Sequence, residues 1–275
     1  MFSDFALSRR LELAEAMMNV SFVEARARVS PESGACWIQA GGAYAMFDGP
    51  DSPLTQTFGL GLEGLPTAED LERIERFFGE RSAPVFHEVS PVVDPAILGI
   101  LHSRGYHPIE LTTMLYRPLG ATVLSDPSLA IHTPGMTVRC VAADEMNLYT
   151  ETAARGWSEI PELGDFMREI GRVSALQADL YAFLVELAGA PIAAGALRVR
   201  DGVGMLAGAS TVPEARGKGA QNALLAARLQ YAADLGCDLA MMGAQPGSGS
   251  QRNAERGGFR IAYTRIKWLL AAKRA

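Results

Sequence analysis

Two stretches about 150 residues apart end alike, and this rhyme restricts the fold more than any other feature of the chain. "LHSRGYHPIELTTMLYRPL" closes the first half and "RNAERGGFRIAYTRIKWLL" closes the second. Each sets a short polar helix before a glycine–aromatic step, Gly105-Tyr106 or Gly258-Phe259, and then an alternating strand. The interval is too long for a solenoid repeat and suits an ordinary domain, so it predicts a duplicated domain. With 275 residues, nearly half of them apolar, the chain can fill two cores. "RPLGATVLSDPSLAIHTPGM", rich in Pro, Ser and Gly and without a hydrophobic period, reads as the join. The expected organisation is a domain over 1–120, a linker over 121–135 and a second domain over 136–275.

The second half shows what is duplicated. "DEMNLYTETAARGW" and "IPELGDFMREIG" are helical, with Pro161 suited to a first turn. "LYAFLVEL" and "PIAAGALRVR" are strands about a turn at Ala188-Gly189-Ala190. "VGMLAGASTV" is a third apolar run, bracketed by Gly202 and Pro213. A glycine-rich basic loop follows, and then a helix to Leu235 stopped by Gly236. "CDLAMMGA" is apolar throughout, as a buried strand is, and its Met and Leu belong to the core. Strands, helix and further strand in this order predict an α/β or α+β fold.

Several function classes drop out on composition. No apolar run reaches the roughly 18 residues of a membrane span, so no membrane partner is expected. "MFSDFALSRRLELAEAMMN" resembles an amphipathic helix and lacks the basic-then-apolar order of a signal peptide, which makes a cytoplasmic address the expectation. Cys36, Cys140 and Cys237 lie far apart with no C-x-x-C pair, so they are expected to be reduced, mostly buried thiols, with no zinc and no other metal. A net charge of −6 argues against a general nucleic-acid binder. Monomer and homodimer both stay open.

The loop in "VPEARGKGAQNALLAARL" carries the chemistry. Gly217 and Gly219 let the backbone turn tightly and aim its N–H groups at one point. The following helix directs its N-terminal dipole at the same point, and Arg216 and Lys218 add charge. A pyrophosphate is the natural guest. Walker A is excluded, because Gly217-Lys218 is followed by Gly219 and Val212 stands where its first glycine belongs. "RGKGAQNA" lacks the third glycine of a dinucleotide fingerprint. "GLGLEG" (Gly59, Gly61, Gly64) matches that fingerprint formally. It lies in an apolar run, and Pro66 with "TAED" reads as a new helix start capped by Thr67, so strand plus turn is the expectation.

The loop resembles the acyl-CoA loop of the GNAT superfamily of N-acyltransferases, Gln/Arg-x-x-Gly-x-Gly/Ala. Arg216 takes the first place and Gly219 the fourth. Gln221 departs from the last place, so its side chain must point away from the pyrophosphate. The apolar strand before the loop, "NALLAARLQYAADLGCDLAMM" after it and "SQRNAERGGF" further on continue the resemblance over roughly 136–270. It implies two tandem GNAT-like domains, each a mixed, mostly antiparallel sheet flanked by helices. It also implies acetyl-CoA, or another acyl-CoA, as co-substrate, and a small-molecule or peptide amine as acceptor. Ser210, Thr211, Val212, Arg216, Gly217, Lys218, Gly219, Ala220 and Gln221 would hold the coenzyme. The first half has "LEGLPTAED" at the matching loop, acidic and without arginine, and resembles a degenerate copy that has lost the coenzyme, left with packing and with shaping the acceptor pocket.

By the same resemblance the acceptor amine attacks the thioester directly. The strand before the loop splays from its neighbour so that Ala209 to Val212 can bond pantetheine through main-chain groups, and N–H groups near Ser210 polarise the carbonyl. Proton transfer is harder to assign. "GVGMLAGASTV" has no carboxylate to act as base, and Ala254 stands four residues before Gly258, where many members have a tyrosine acid. Ser250 and Asn253 are the candidates to substitute for it; the competing reading makes Ser250 the N-cap of a short helix. Tyr263 is a further candidate acid or a packing residue. Glu159 and Asp165 are candidate bases or receivers of a cationic acceptor, or solvent-facing helix charges. His87 and His132 show no partner in sequence. A non-catalytic acyl-CoA sensor or scaffold is the alternative; a nucleotide-binding protein is disfavoured by the failed Walker pattern.

Overall fold

The computed structural model of the chain describes residues 3–120, 133–159, 161–174 and 176–272. In chain order the elements are helix α1 (Phe5–Val29), strands β1 (Cys36–Ala40), β2 (Ala43–Phe47) and β3 (Gln56–Phe58), helix α2 (Ala68–Gly79), strand β4 (Val85–Val89), helix α3 (Ala96–Ser103) and strand β5 (His107–Pro118). There follow β6 (Met136–Cys140), α4 (Met146–Gly156), α5 (Pro161–Ser174), β7 (Leu180–Leu187), β8 (Ala190–Arg200) and β9 (Val203–Thr211). Last come α6 (Ala220–Asp234), β10 (Leu239–Ala244), α7 (Gly249–Arg256) and β11 (Arg260–Leu270). Most of the expected linker, with His132, lies outside the described residues, as do the side chains of residues 161–166, Asp165 among them.

The chain divides into two compact units, one of residues 1–115, 243–248 and 261–275, the other of residues 116–242 and 249–260. In the first unit β1, β2, β3, β4 and β11 are neighbours in that order. Their pairings are antiparallel except for the parallel β3–β4 step. One sheet face packs under α2 and α3, whose Leu71, Ile74, Phe78, Ile97 and Leu101 are buried with Tyr106 and Trp268. The other faces α1, where Ala16, Val20 and Val23 meet Met46 and Phe58. Helix α2 begins as the sequence predicts. Thr67 accepts from the Asp70 N–H at 3.1 Å, and the Asp70 carboxylate accepts from the Thr67 N–H at 2.9 Å, a reciprocal cap. "GLGLEG" forms turns after β3, with Leu60 and Leu62 buried.

Strand β11 brings polar cargo into this unit. The guanidinium of Arg265 is buried and pairs with Glu15 at 2.8 Å, with Glu88 at 2.9 Å and with Glu12 at 3.4 Å. Tyr263 donates its hydroxyl to Glu12 at 2.8 Å, so this tyrosine serves packing of the first unit. Burial among neighbouring carboxylates raises Glu12 to about 7. His87 is fully buried against Tyr106, with neither ring nitrogen bonded, and burial pushes it down to about 3.

In the second unit the order β10-β9-β8-β7-β6 is antiparallel except for the parallel β9–β10 step. The β7–β8 hairpin turns at Ala188-Gly189, as expected. Helices α4 and α6 pack on this sheet; Tyr149 and Ala153 of α4 sit on Leu184 and Ala194. Helix α6 ends before Gly236 as predicted. Each unit is thus a mixed, mostly antiparallel sheet flanked by helices, the fold class the sequence implies. Cysteine burial differs from expectation: all three are thiols, but Cys140 on strand β6 is exposed and Cys36 is half-buried.

Candidate functional site

The site is built where β9 leaves its neighbour β10. Its parallel pairing with β10 runs over Val203–Met205, while β9 continues six residues further, to Thr211. On the other side it stays paired with β8 to Thr211, across a bulge between Ala194 and Ala196. The end of β9 therefore splays from β10 and leaves one edge of its backbone open. Helix α4 closes the flank. A Cβ on Gly156 would collide with the Ser210 side chain, so only glycine lets the helix end approach the strand this closely. Ser210 spends its hydroxyl on the Ala153 carbonyl at 3.0 Å.

Residues 212–219 carry the chain from the open strand to α6. Gly219 is the N-cap of α6, with φ at +85° and no side-chain cap, and the first turn holds no acidic residue. The α6 N–H groups and dipole thus remain for an anion. Strand end, loop and helix start enclose a cleft of about 540 Å³ within the second unit. It is lined by Ser210, Thr211, Arg216, Gly217, Gly219, Ala220 and Gln221, with Asn253 of α7, Trp157 and Glu159. Val212 is buried, Lys218 is exposed with its carbonyl accepting from Thr133 at 2.8 Å, and neither lines the cleft.

One of the two basic side chains of the loop is already engaged. Arg216 donates to Glu159 at 2.7 Å, to the Gly156 carbonyl at the end of α4 at 3.3 Å and to the Thr211 carbonyl at 3.4 Å. Gln221 turns back and donates to the Thr211 hydroxyl at 2.7 Å, which is how the long side chain at that position is accommodated. Beside the loop, Arg155 holds Glu214 at 2.8 Å, and hydrogen bonding from its own backbone, then Arg155, keeps the Glu214 carboxyl below the usual range.

Of the two proposed proton-transfer residues, Asn253 lines the cleft. Ser250 is exposed on the same helix outside the lining and lies inside the first turn of α7, which begins at Gly249, so it is not the N-cap. Ala254, at the position of the missing tyrosine, is buried. One residue has no counterpart among the sequence-based candidates. Arg228 of α6 is 4% exposed and donates to the carbonyls of Ala196 at 3.0 Å, Leu224 at 3.2 Å and Ala207 at 3.4 Å, tying α6 to both strands of the bulge. Burial lowers it to about 10. The signal was an arginine in the apolar stripe of Leu224, Leu225 and Leu229. Among the described residues no cluster of His, Cys, Asp and Glu could hold a metal, and no helix is long and apolar enough to cross a membrane.

No protein-family model matches the chain, and no curated protein matches it in sequence. Solved structures do resemble it. A GCN5-related N-acetyltransferase from Kribbella flavida is 21% identical, with a TM-score of 0.64 over 91% of this chain and 95% of its own. A tandem GNAT protein from the clavulanic acid biosynthesis pathway is 13% identical, with a TM-score of 0.62 over 93% of this chain and 88% of its own. A GCN5-related N-acetyltransferase from Sphaerobacter thermophilus is 16% identical, with a TM-score of 0.59 over 83% of this chain and 76% of its own.

Proposed function

Since the chain has the tandem fold of the GCN5-related N-acetyltransferases, we propose that it transfers an acyl group, acetyl by default, from acyl-CoA to an amine. The observation that carries this reading is the uncapped N-terminus of α6 opening onto the splayed end of β9 in one cleft. The pyrophosphate sits on the N–H groups from Gly217 to Gln221, and pantetheine runs along Ala209 to Val212. The amine, having given its ammonium proton to water, attacks the thioester carbonyl through nitrogen; the carbon–nitrogen bond forms, the carbon–sulfur bond breaks, CoA leaves as thiolate, and the proton then shed by the nitrogen passes to that thiolate. Main-chain N–H groups near Ser210 stabilise the developing oxyanion. Asn253, in the cleft, and Ser250 on the same helix order the water or proton that the thiolate takes up. Residues 1–120 form the degenerate copy, 121–135 the linker and 136–275 the coenzyme-binding half, which gives its last strand to the first unit. The protein acts in the cytoplasm without a metal.

A second reading, an acyl-CoA sensor without turnover, rests on the buried Ala254 and on a β9 that has no carboxylate. Thiol release from acetyl-CoA separates the two, assayed with spermidine, an aminoglycoside, 2-phenylethylamine and a lysine-bearing peptide as acceptors. Amine-dependent release supports transfer. Coenzyme binding with no release from any of them supports the sensor.

A further inference from the structure

Arg216 and Glu159 both line the cleft, and they hold each other at 2.7 Å. The side chain that the loop offers to an anion is therefore occupied by a carboxylate of the chain itself. The pair is exposed, Arg216 at 46% and Glu159 at 64%, so water screens it and a more highly charged diphosphate can displace the carboxylate. The guanidinium's other contacts, to the carbonyls of Gly156 and Thr211, are long, at 3.3 and 3.4 Å, and hold it weakly.

We infer that coenzyme binding moves Arg216 from Glu159 to the diphosphate, and that Glu159 is thereby unmasked as the counter-ion of an ammonium acceptor. This rests on the coenzyme site proposed above. Its chemistry is an exchange of partners. Before the coenzyme enters, the Glu159 charge is cancelled and the cleft has little pull on a cation. Once the diphosphate has taken Arg216, a carboxylate faces the same cleft uncompensated. The acceptor class that fits is a primary amine carried in as its ammonium ion, and it gains its binding charge only in coenzyme-loaded protein. A neutral acceptor would gain nothing from the exchange.

Calorimetry with CoA on the full chain tests the exchange as a double-mutant cycle. Glu159→Gln should tighten CoA binding by about two- to fivefold, the range of an exposed ion pair. Arg216→Gln should weaken it, and in the Arg216→Gln background the gain from Glu159→Gln should vanish, because the two residues act as one pair. Unchanged or weaker binding by Glu159→Gln would make the pair a structural clamp and overturn the exchange. A gain that persists without Arg216 would reduce Glu159 to simple repulsion of the anion and would overturn it equally. For any amine turned over in the acceptor series, Glu159→Gln should raise KM with kcat changed much less; an unchanged KM removes the acceptor role. If the parent binds no CoA, the coenzyme site itself fails. If it binds CoA and turns over no amine, the exchange stands or falls on the cycle alone and the acceptor role is lost.

Discussion

Helices α2 and α6 start after comparable loops in the two units, yet their N-termini are finished in opposite ways. At α2 the Asp70 carboxylate accepts from the Thr67 N–H and hydroxyl at 2.9 and 2.7 Å, and those bonds, with one from the Gly41 N–H, hold it below the usual range. Glu69 adds a second charge to the same turn, and Glu63 lies against Gly42. That helix end already has its anion, made of its own side chains. At α6 the cap is Gly219, with no side-chain bond and no acid in the first turn. On the proposed reading, what is withheld from the α6 N-terminus is what fits it for the coenzyme. The dipole is common to both; only one leaves it unanswered.

The same contrast extends inward, and it orders the predictions. The first unit buries Arg265 among three carboxylates, whereas the second keeps its loop charges at the surface. Arg265→Met should therefore destabilise the protein by about 3–5 kcal/mol, the cost of leaving buried carboxylates uncompensated, measured by urea unfolding. A loss under about 1 kcal/mol would show that the network is not what holds β11. Next in size, Gly219→Glu should weaken CoA binding by about a hundredfold or more, by giving α6 the kind of acid α2 already carries. Near-parent affinity would place the pyrophosphate elsewhere. Asn253→Ala and Ser250→Ala should each reduce turnover by roughly tenfold with CoA affinity nearly unchanged. Parent rates in both would withdraw the two residues from catalysis. The smallest effect is Thr67→Ala, which should cost about 1 kcal/mol of stability and leave CoA binding untouched.

Acid should also act on the first unit through its buried histidine. His87 is neutral and buried in the fold, at about 3, against an ordinary value of 6.5 in the unfolded chain. Its contribution is complete above pH 6.5 and is lost as pH falls toward 3, by up to about 1.4 kcal/mol per pH unit. Glu12, raised to about 7 from 4.5, runs the other way: its contribution is complete below 4.5 and is lost as pH rises through 7. His87→Leu should flatten the acid limb of a stability–pH curve. An acid limb as steep as the parent's would assign it to other groups.

Local chemistry was legible in the sequence and long-range partnership was not. The Thr67 cap, the Ala188-Gly189 turn, the stop at Gly236 and the loop at Gly217 and Gly219 depend on residues a few positions apart, so their neighbours in sequence specify them. "RIAYTRIKWLL" announced a strand but not which unit it would join, because alternation fixes the faces of a strand and not its neighbours. The partners of Arg265 on α1 lie about 250 residues away. Arg216 was recognised by type, while its engagement with Glu159 needed the fold of α4 and the segment after it. Arg228 lay in plain view in an apolar stripe, but only the bulge between β8 and β9 explains why a charge belongs there.

On the proposed reading, then, α6 rather than α2 takes the coenzyme, one per chain. Titration calorimetry of the full chain with acetyl-CoA reads this number without any substitution. A single class of site at one coenzyme per chain is the expected result. Two equivalent sites per chain would contradict it, because α2 would then be accepting an anion over its own carboxylates.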